Sequence, residues 1–344
     1  MESARDPVDP VSLARSLIDI DSTTGREGEA GAWLARFLGD RGYRVEQQPI
    51  GDGRFNVFAR QDEAPRVVLS THFDCVPPFF PSREERGLLF GRGSCDAKGI
   101  LAAQVAAAER LRARGEQRVA LLFLVGEERG SDGARVANEH ARLRTEGADA
   151  GARYLVNGEP TENRLGSATR GVLRIRLHAE GRAAHSAFPE LGESAIDKLL
   201  DALMVIRGLT LPDDPLLGRT HYSVGVIEGG LAPNVISPSA SAELLFRIVG
   251  DAAPVRAALA VVEGLVSIEH VLDIPAVRMH TVPGFEDAVF PYTTDVPLLT
   301  NWGTPMLVGP GSIHVAHTDE EHVAIDELHV AVGLYERLAA RLLY

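Results

Sequence analysis

Four things are scarce or missing in this chain of 344 residues. It holds only two cysteines, Cys75 and Cys95. A disulfide-built extracellular scaffold is therefore excluded, and the pair suits a reducing, cytoplasmic setting as two small buried thiols. It has no apolar run of about 18 residues or more, so no membrane-spanning helix is expected. Its first residues, Met1-Glu2-Ser3-Ala4-Arg5-Asp6-Pro7, carry acids and no apolar segment, unlike a secretory leader. It lacks any excess of positive charge. The formal net charge of -13 argues against a nucleic-acid surface and against anionic membranes. Internal repeats and low-complexity tracts are absent as well.

What is present is an ordinary globular composition. Hydrophobic residues make up 45% and charged residues 24%, enough to build a large core under a polar surface. The length allows one large domain or two of ordinary size.

The hydrophobic pattern changes character along the chain. Helical spacing predicts helices over Val11–Ile18 and Glu29–Leu38, then a long Ala/Leu-rich helix from Lys98 to Arg114. Between them lie short apolar runs, Arg66–Ser70, Val119–Val125 and Tyr154–Val156, which read as buried parallel strands. Another helix is expected near Gly133–Thr145. From Gly171 the strands alternate apolar and polar residues, as half-exposed strands do. Strands at Gly171–Glu180, Thr220–Ile227, Ser241–Val249 and Val271–His280, with helices at Ser194–Gly208 and Ala252–Leu265, make a βαββαβ order. The first pattern returns after residue 283. The fold class is thus α/β. A mostly parallel-sheet, metal-binding catalytic domain of residues 1–170 and 283–344 carries an inserted α+β ferredoxin-like domain of residues 171–282.

Each buried run ends in groups a divalent metal prefers. Val67-Val68-Leu69-Ser70 leads to His72 and Asp74, and Ala120–Val125 leads to Glu127 and Glu128. Tyr154-Leu155-Val156 leads to Glu159, and Met306-Leu307-Val308 leads through Gly309-Pro310-Gly311 towards His314 and His317. Ligands collect at the carboxyl ends of strands in open α/β sheets, so these residues are expected to converge. Two adjacent glutamates at a buried strand end repel one another. A metal relieves one, and the other is free to act as a general base. Asp96 stands just before the long helix, and Asp74 is placed to orient His72. Gly91-x-Gly93 before a helix imitates a dinucleotide fingerprint. The third glycine and the distal acid of that fingerprint are missing, and an oxidoreductase reading is set aside.

Five ordered segments carry a closer likeness: Ser70-Thr71-His72-Phe73-Asp74-Cys75-Val76-Pro77, Gly91-Arg92-Gly93-Ser94-Cys95-Asp96-Ala97-Lys98-Gly99, Gly126-Glu127-Glu128, Gly158-Glu159-Pro160 and Ala316-His317-Thr318-Asp319-Glu320. Together they resemble the dinuclear zinc amidohydrolase family of acetylornithine deacetylase, succinyl-diaminopimelate desuccinylase, aminoacylase and glutamate carboxypeptidase. The resemblance implies two divalent ions, zinc or cobalt. Asp96 would bridge them, His72 and Glu159 would complete one site, and Glu128 and His317 the other. It also implies Glu127 as general base and later acid, a hydroxide held between the metals as nucleophile, and His314 as a bystander.

In the inserted domain, Gly181-Arg182-Ala183-Ala184-His185-Ser186-Ala187 resembles the segment whose histidine reaches a neighbouring subunit's site. A homodimer through this domain, acting as lid and dimerisation element, follows from that likeness. Asn234 and Arg247 would bind the substrate, Arg247 through its carboxylate. The Gly309–Ile313 stretch most resembles that of acetylornithine deacetylase. The implied activity is hydrolysis of a small N-acyl amino acid such as N-acetylornithine, a step of arginine biosynthesis. Succinyl-diaminopimelate desuccinylase and a dipeptidase or carboxypeptidase are the alternatives. A metal- or amino-acid-binding protein without catalysis is the reading from another class.

Overall fold

The computed structural model describes residues 6–61, 64–145 and 152–344. Met1–Arg5, part of the segment read above as lacking a leader, lie outside the described residues. No helix among the described residues is long and apolar enough to cross a membrane.

In chain order the elements begin with α1 (Pro10–Ile18) and α2 (Gly28–Asp40), then β1 (Arg44–Gly51), β2 (Arg54–Arg60) and β3 (Val67–His72). Two short strands, β4 (Arg83–Glu85) and β5 (Leu88–Phe90), precede α3 (Lys98–Ala113), β6 (Val119–Leu124), α4 (Asp132–Thr145), β7 (Tyr154–Asn157) and β8 (Leu165–Thr169). Then come β9 (Gly171–Glu180), α5 (Ala195–Arg207), β10 (Asp213–Asp214), β11 (Gly218–Arg219), β12 (His221–Gly229), β13 (Ser239–Ile248), α6 (Ala253–Leu259) and β14 (Ser267–Ile274). The chain closes with β15 (Val277–Arg278), β16 (Asp287–Phe290), β17 (Thr304–Leu307), β18 (His322–Ala324) and α7 (Ile325–Leu343).

Two compact units result. The first comprises residues 1–167, 279–288 and 294–344, and the second residues 168–278 and 289–293. The first is built on a six-stranded sheet of order β1-β2-β6-β3-β7-β17. β6, β3, β7 and β17 run parallel, while β1 and β2 form an antiparallel edge. β3 and β6 are buried at every residue. Their alternation sorts side chains into two cores. Val67, Leu69, Leu121 and Phe123 face a cluster shared with α1, α2, α3 and α7. Val68, Ala120, Leu122 and Leu124 face another, with Ala134, Ala137, Ala141 and Trp302. Burial on both faces is why these runs are continuously apolar.

The second unit is a four-stranded antiparallel sheet of order β12-β13-β9-β14, with α5 and α6 packed on its apolar side. That is the ferredoxin-like arrangement the βαββαβ order predicts. Two expected elements differ in extent. The helix expected over Ala252–Leu265 is α only over Ala253–Leu259 and tightens to a 3₁₀ turn at Ala260–Val262. β-branched Val261 and Val262 followed by Gly264 favour that ending. The strand expected at Val271–His280 starts at Ser267 and stops at Ile274, because Pro275 has no N–H to donate.

α3 carries the loop that holds Asp96, and Gly99 in its first turn lets that loop come close. A Cβ on Gly99 would lie 2.2 Å from the Ser94 carbonyl oxygen, which is backbone and cannot swing aside. Replacing an interior helical glycine with alanine normally stabilises by up to about 1 kcal/mol. Here the overlap should win, and Gly99→Ala is expected to destabilise by roughly 1–3 kcal/mol. Denaturant unfolding checks the sign, and a more stable variant would contradict this packing.

Candidate metal centre

The carboxyl ends of β3, β6 and β7 lie along one edge of the first unit's sheet, as their parallel registers require. β3 ends on His72 itself. Beyond β6, Gly126 turns the chain with φ 75°, and Glu127-Glu128-Arg129 follows as one 3₁₀ turn. A Cβ at Gly126 would fall 1.9 Å from Asp132 Oδ1, so glycine meets both the backbone and the space requirement there. Beyond β7, Gly158 N–H donates to the Ser70 carbonyl (2.6 Å) and Thr71 Oγ1 donates to the Gly158 carbonyl (2.7 Å). These bonds fix the segment that carries Glu159 against β3.

Two groups of candidate donors form. His72, Asp96 and Glu159 offer ligand atoms within 4.8 Å of one another, and so do Asp96, Glu128 and His317. Asp96 belongs to both. Its Oδ1 lies 2.9 Å from His72 Nε2, and its Oδ2 lies 3.3 Å from His317 Nε2. His317 Nε2 is also 2.9 Å from Glu128 Oε1. His72, Asp96 and Glu159 are buried, whereas His317 is about half exposed, with 48% of its side chain accessible. The five residues the sequence singled out as ligands are thus together.

Asp74, fully buried, organises the surroundings. Its Oδ1 lies 3.4 Å from His72 Nδ1 and accepts from Glu127 N–H at 3.1 Å. Its Oδ2 accepts from Glu128 N–H (3.2 Å) and Thr24 Oγ1 (2.8 Å). β3 stops at His72, and Asp74 reaches back to it from the loop that follows. The Asp74 backbone carbonyl also meets His72 Nδ1, at 3.1 Å.

The electrostatics are one-sided. Burial pushes the carboxyl groups of Glu127 and Glu159 well above the usual range, and neighbouring acids add to the shift. Burial also raises Glu128, against the hydrogen bond from His317. Burial opposes the charge on Asp96, yet His317 and His72 hold its carboxyl below the usual range. Burial opposes charge on His72 too, but its bonds with Asp74 and Asp96 keep it well above the histidine range. Bonds with Asp96 and then Glu128 raise His317 to about 10. Among the described residues no Lys or Arg pairs with Asp96, Glu127, Glu128 or Glu159. The two imidazoles are the basic groups that lie among these carboxylates. Oxygen and imidazole donors in this crowding fit two divalent ions.

Some expectations resolve elsewhere. His314 is exposed and joins neither donor group. Cys75 and Cys95 are free and buried, and neither joins a donor group. Burial pushes the Cys75 thiol up to about 12, far from a thiolate.

In the second unit, His185 and Asn234 are both exposed and sit side by side: Ser186 N–H donates to the Asn234 carbonyl, and His185 bridges to Val235. Arg247 is half-buried near the far end of β13. Among the described residues its Nη1 meets Thr293 Oγ1, at 3.5 Å, and Arg170 nearby lowers its pKa further after burial. β13 begins at Ser239. At about 3.4 Å per residue, the eight steps from there to Arg247 put it roughly 25 Å from the Asn234 end. Within one chain these substrate candidates are therefore not brought together.

Two buried acids are not apparent from sequence patterns. Burial pushes the Asp295 carboxyl up to about 7. Glu321 is fully buried, while the neighbouring Glu320, part of the His317 segment, is exposed. The one signal for Glu321 is its place directly before β18.

Comparison with known proteins shows the family of the chain. The model of peptidase family M20/M25/M40 matches residues 68–341. An M20 domain-containing peptidase of Schizosaccharomyces pombe is 36% identical over 95% of this chain and 83% of its own length. A probable carboxypeptidase of Aspergillus fumigatus is 34% identical over 95% of this chain and 85% of its own. Among solved structures, a tripeptidase from Staphylococcus aureus superposes with TM-score 0.79 at 19% identity, covering 98% of this chain and 100% of its own. An M20 metallo-carboxypeptidase from Sulfolobus solfataricus gives TM-score 0.77 at 17% identity, covering 97% and 99%.

The raised groups fix a sign for the metal-free protein. A histidine raised above its unfolded value adds stability that is complete below about pH 6.5 and is lost towards the folded value, about 10 for His317. Raised carboxyl groups lose stability in the same direction from about pH 4.5 upward. Lys98, lowered by burial, acts in the opposite direction. The melting temperature of metal-free protein should therefore fall from pH 6.5 to about 9, and saturating divalent metal should flatten the slope. A flat or rising profile without metal would contradict the assignment.

Proposed function

The chain belongs to the M20/M25/M40 peptidase family and is a hydrolase of amide bonds, and from that premise we propose that it is a two-metal exopeptidase of carboxypeptidase type. It would cleave the amide preceding an amino acid that keeps a free α-carboxylate. The observation that carries the carboxylate requirement is Arg247, a half-buried guanidinium that no carboxylate among the described residues pairs with and that has a second arginine beside it. A desolvated guanidinium in that setting is a ready receptor for an anion.

His72, Asp96 and Glu159 would hold one ion, and Asp96, Glu128 and His317 the other. Two divalent ions, zinc or cobalt, would polarise the scissile carbonyl and lower the pKa of the attacking water. Glu127 would take a proton from a water whose oxygen bonds to the scissile carbon, and would return it to the amine nitrogen as the C–N bond breaks. Asp74 fixes the tautomer of His72 and, through two backbone N–H groups, the position of Glu127.

A second reading is supported by the Gly309–Ile313 stretch, which resembles the corresponding stretch of acetylornithine deacetylase. On that reading the substrate is an N-acyl amino acid such as N-acetylornithine, or an N-succinyl analogue. Both readings need the same carboxylate. Both suit a cytoplasmic enzyme with reduced, buried cysteines.

His185 and Asn234 belong to the proposal as residues acting on a partner's substrate. The position of Arg247 near the far end of β13, roughly 25 Å along the strand from Ser239, supports this, since a small substrate does not span that length. The second unit offers a surface for a second copy. β12 is an edge strand with Val226 (46%) and Ile227 (59%) exposed, and α5 exposes Leu200 and Met204. Such an edge is otherwise a liability. Sedimentation should give a dimer, and Ile227→Lys should yield a monomer that retains metal but loses most activity. A fully active monomer would contradict the sharing of His185 and Asn234.

A substrate panel tests the carboxylate requirement. N-blocked dipeptides, N-acetylornithine and N-succinyl-diaminopimelate would be offered to the zinc- and cobalt-loaded protein, each blocked dipeptide also as its C-terminal amide. Free acids should be cleaved and amides poorly, and Arg247→Met should raise KM for the acids by about tenfold or more. Equal cleavage of acid and amide would reject the role of Arg247.

A further inference from the structure

Glu321 makes more contacts than its pairing with Arg92 requires. It is fully buried between the segment that carries His317 and the loop that carries Asp96. Its Oε1 accepts three backbone N–H groups, from Gly93 (3.0 Å), Cys95 (3.2 Å) and Asp96 (3.1 Å). Its Oε2 takes Arg92 Nη1 at 2.5 Å. Its backbone carbonyl accepts from Gly91 N–H at 3.2 Å. Directly after it, β18 pairs with β5, so the two chain segments are in fixed register on that side as well.

We propose that Glu321 is a positioning residue for the metal centre: its Oε1 gathers the Gly93–Asp96 backbone and so sets the Asp96 carboxylate in register with His317, four residues before it. This rests on the reading of Asp96 and His317 as ligands of one ion. A buried ion pair is in itself a poor stabiliser, because desolvation offsets the attraction. Here Arg92 neutralises a carboxylate whose other oxygen has a separate task. Peptide N–H donors of the loop converge on that one acceptor, which is how a backbone concavity is held open and oriented. Groups that orient ligands commonly change metal affinity 10–100-fold when altered.

Two conservative substitutions separate this role from a simple ion pair. Glu321→Gln keeps the accepting oxygen at the same reach and loses the charge offered to Arg92. Glu321→Asp keeps the charge and draws both oxygens back by one methylene. Cobalt affinity would be measured by competition with a chelator, with the visible cobalt spectrum reporting coordination and metal-free melting reporting the fold. Failure of the unaltered protein to take up cobalt would overturn the ligand reading itself. With that uptake in hand, Glu321→Asp should bind cobalt at least about tenfold more weakly, with an altered spectrum, while Glu321→Gln stays within about threefold of the parent. The reverse order, or parental affinity in Glu321→Asp, overturns the positioning role.

Discussion

Crowding of like charge at one sheet edge is the constraint on which this molecule turns. Asp96, Glu127, Glu128 and Glu159 gather where three parallel strands end, and among the described residues the basic side chains that pair with them are His72 and His317. In water such a cluster would cost little. Buried against strands with no solvent-exposed residue, it can persist only if protons or metal ions share the site. The raised groups are the protonic solution, and the donor set fits the metallic one.

The fold serves this constraint through short, specific links. β3 delivers His72, and Asp74 then folds back to bind both His72 and the Glu127-Glu128 turn. Glu159 is pinned through Gly158 to β3. Asp96 sits on a loop closed from behind by Glu321. Backbone hydrogen bonds thus hold the segments that carry these candidate ligands, which is how a site keeps its shape without an ion.

Much of this is legible in the sequence because the parallel strands announce themselves. Runs such as Ala120–Val125 are apolar on both faces, so their ends, and the acids at those ends, can be read directly. The alternating strands of the second unit are equally plain. Glu321 and Asp295 are not legible, since a lone acid in a loop carries no periodicity, and only the tertiary path shows which of Glu320 and Glu321 turns inward. The extents of α6 and β14 depart from expectation where Gly264 and Pro275 set limits that hydrophobic spacing does not register. The separation of Arg247 from His185 and Asn234 likewise depends on the strand's length, not its pattern.

The central claim is that five residues hold metal while Glu127 alone moves protons. Metal content and turnover of Glu127→Gln test it together. The account predicts two bound ions per chain, as in the parent, with turnover reduced by roughly 10²–10⁴-fold. A variant that keeps parental turnover, or one that loses its metal, would contradict it.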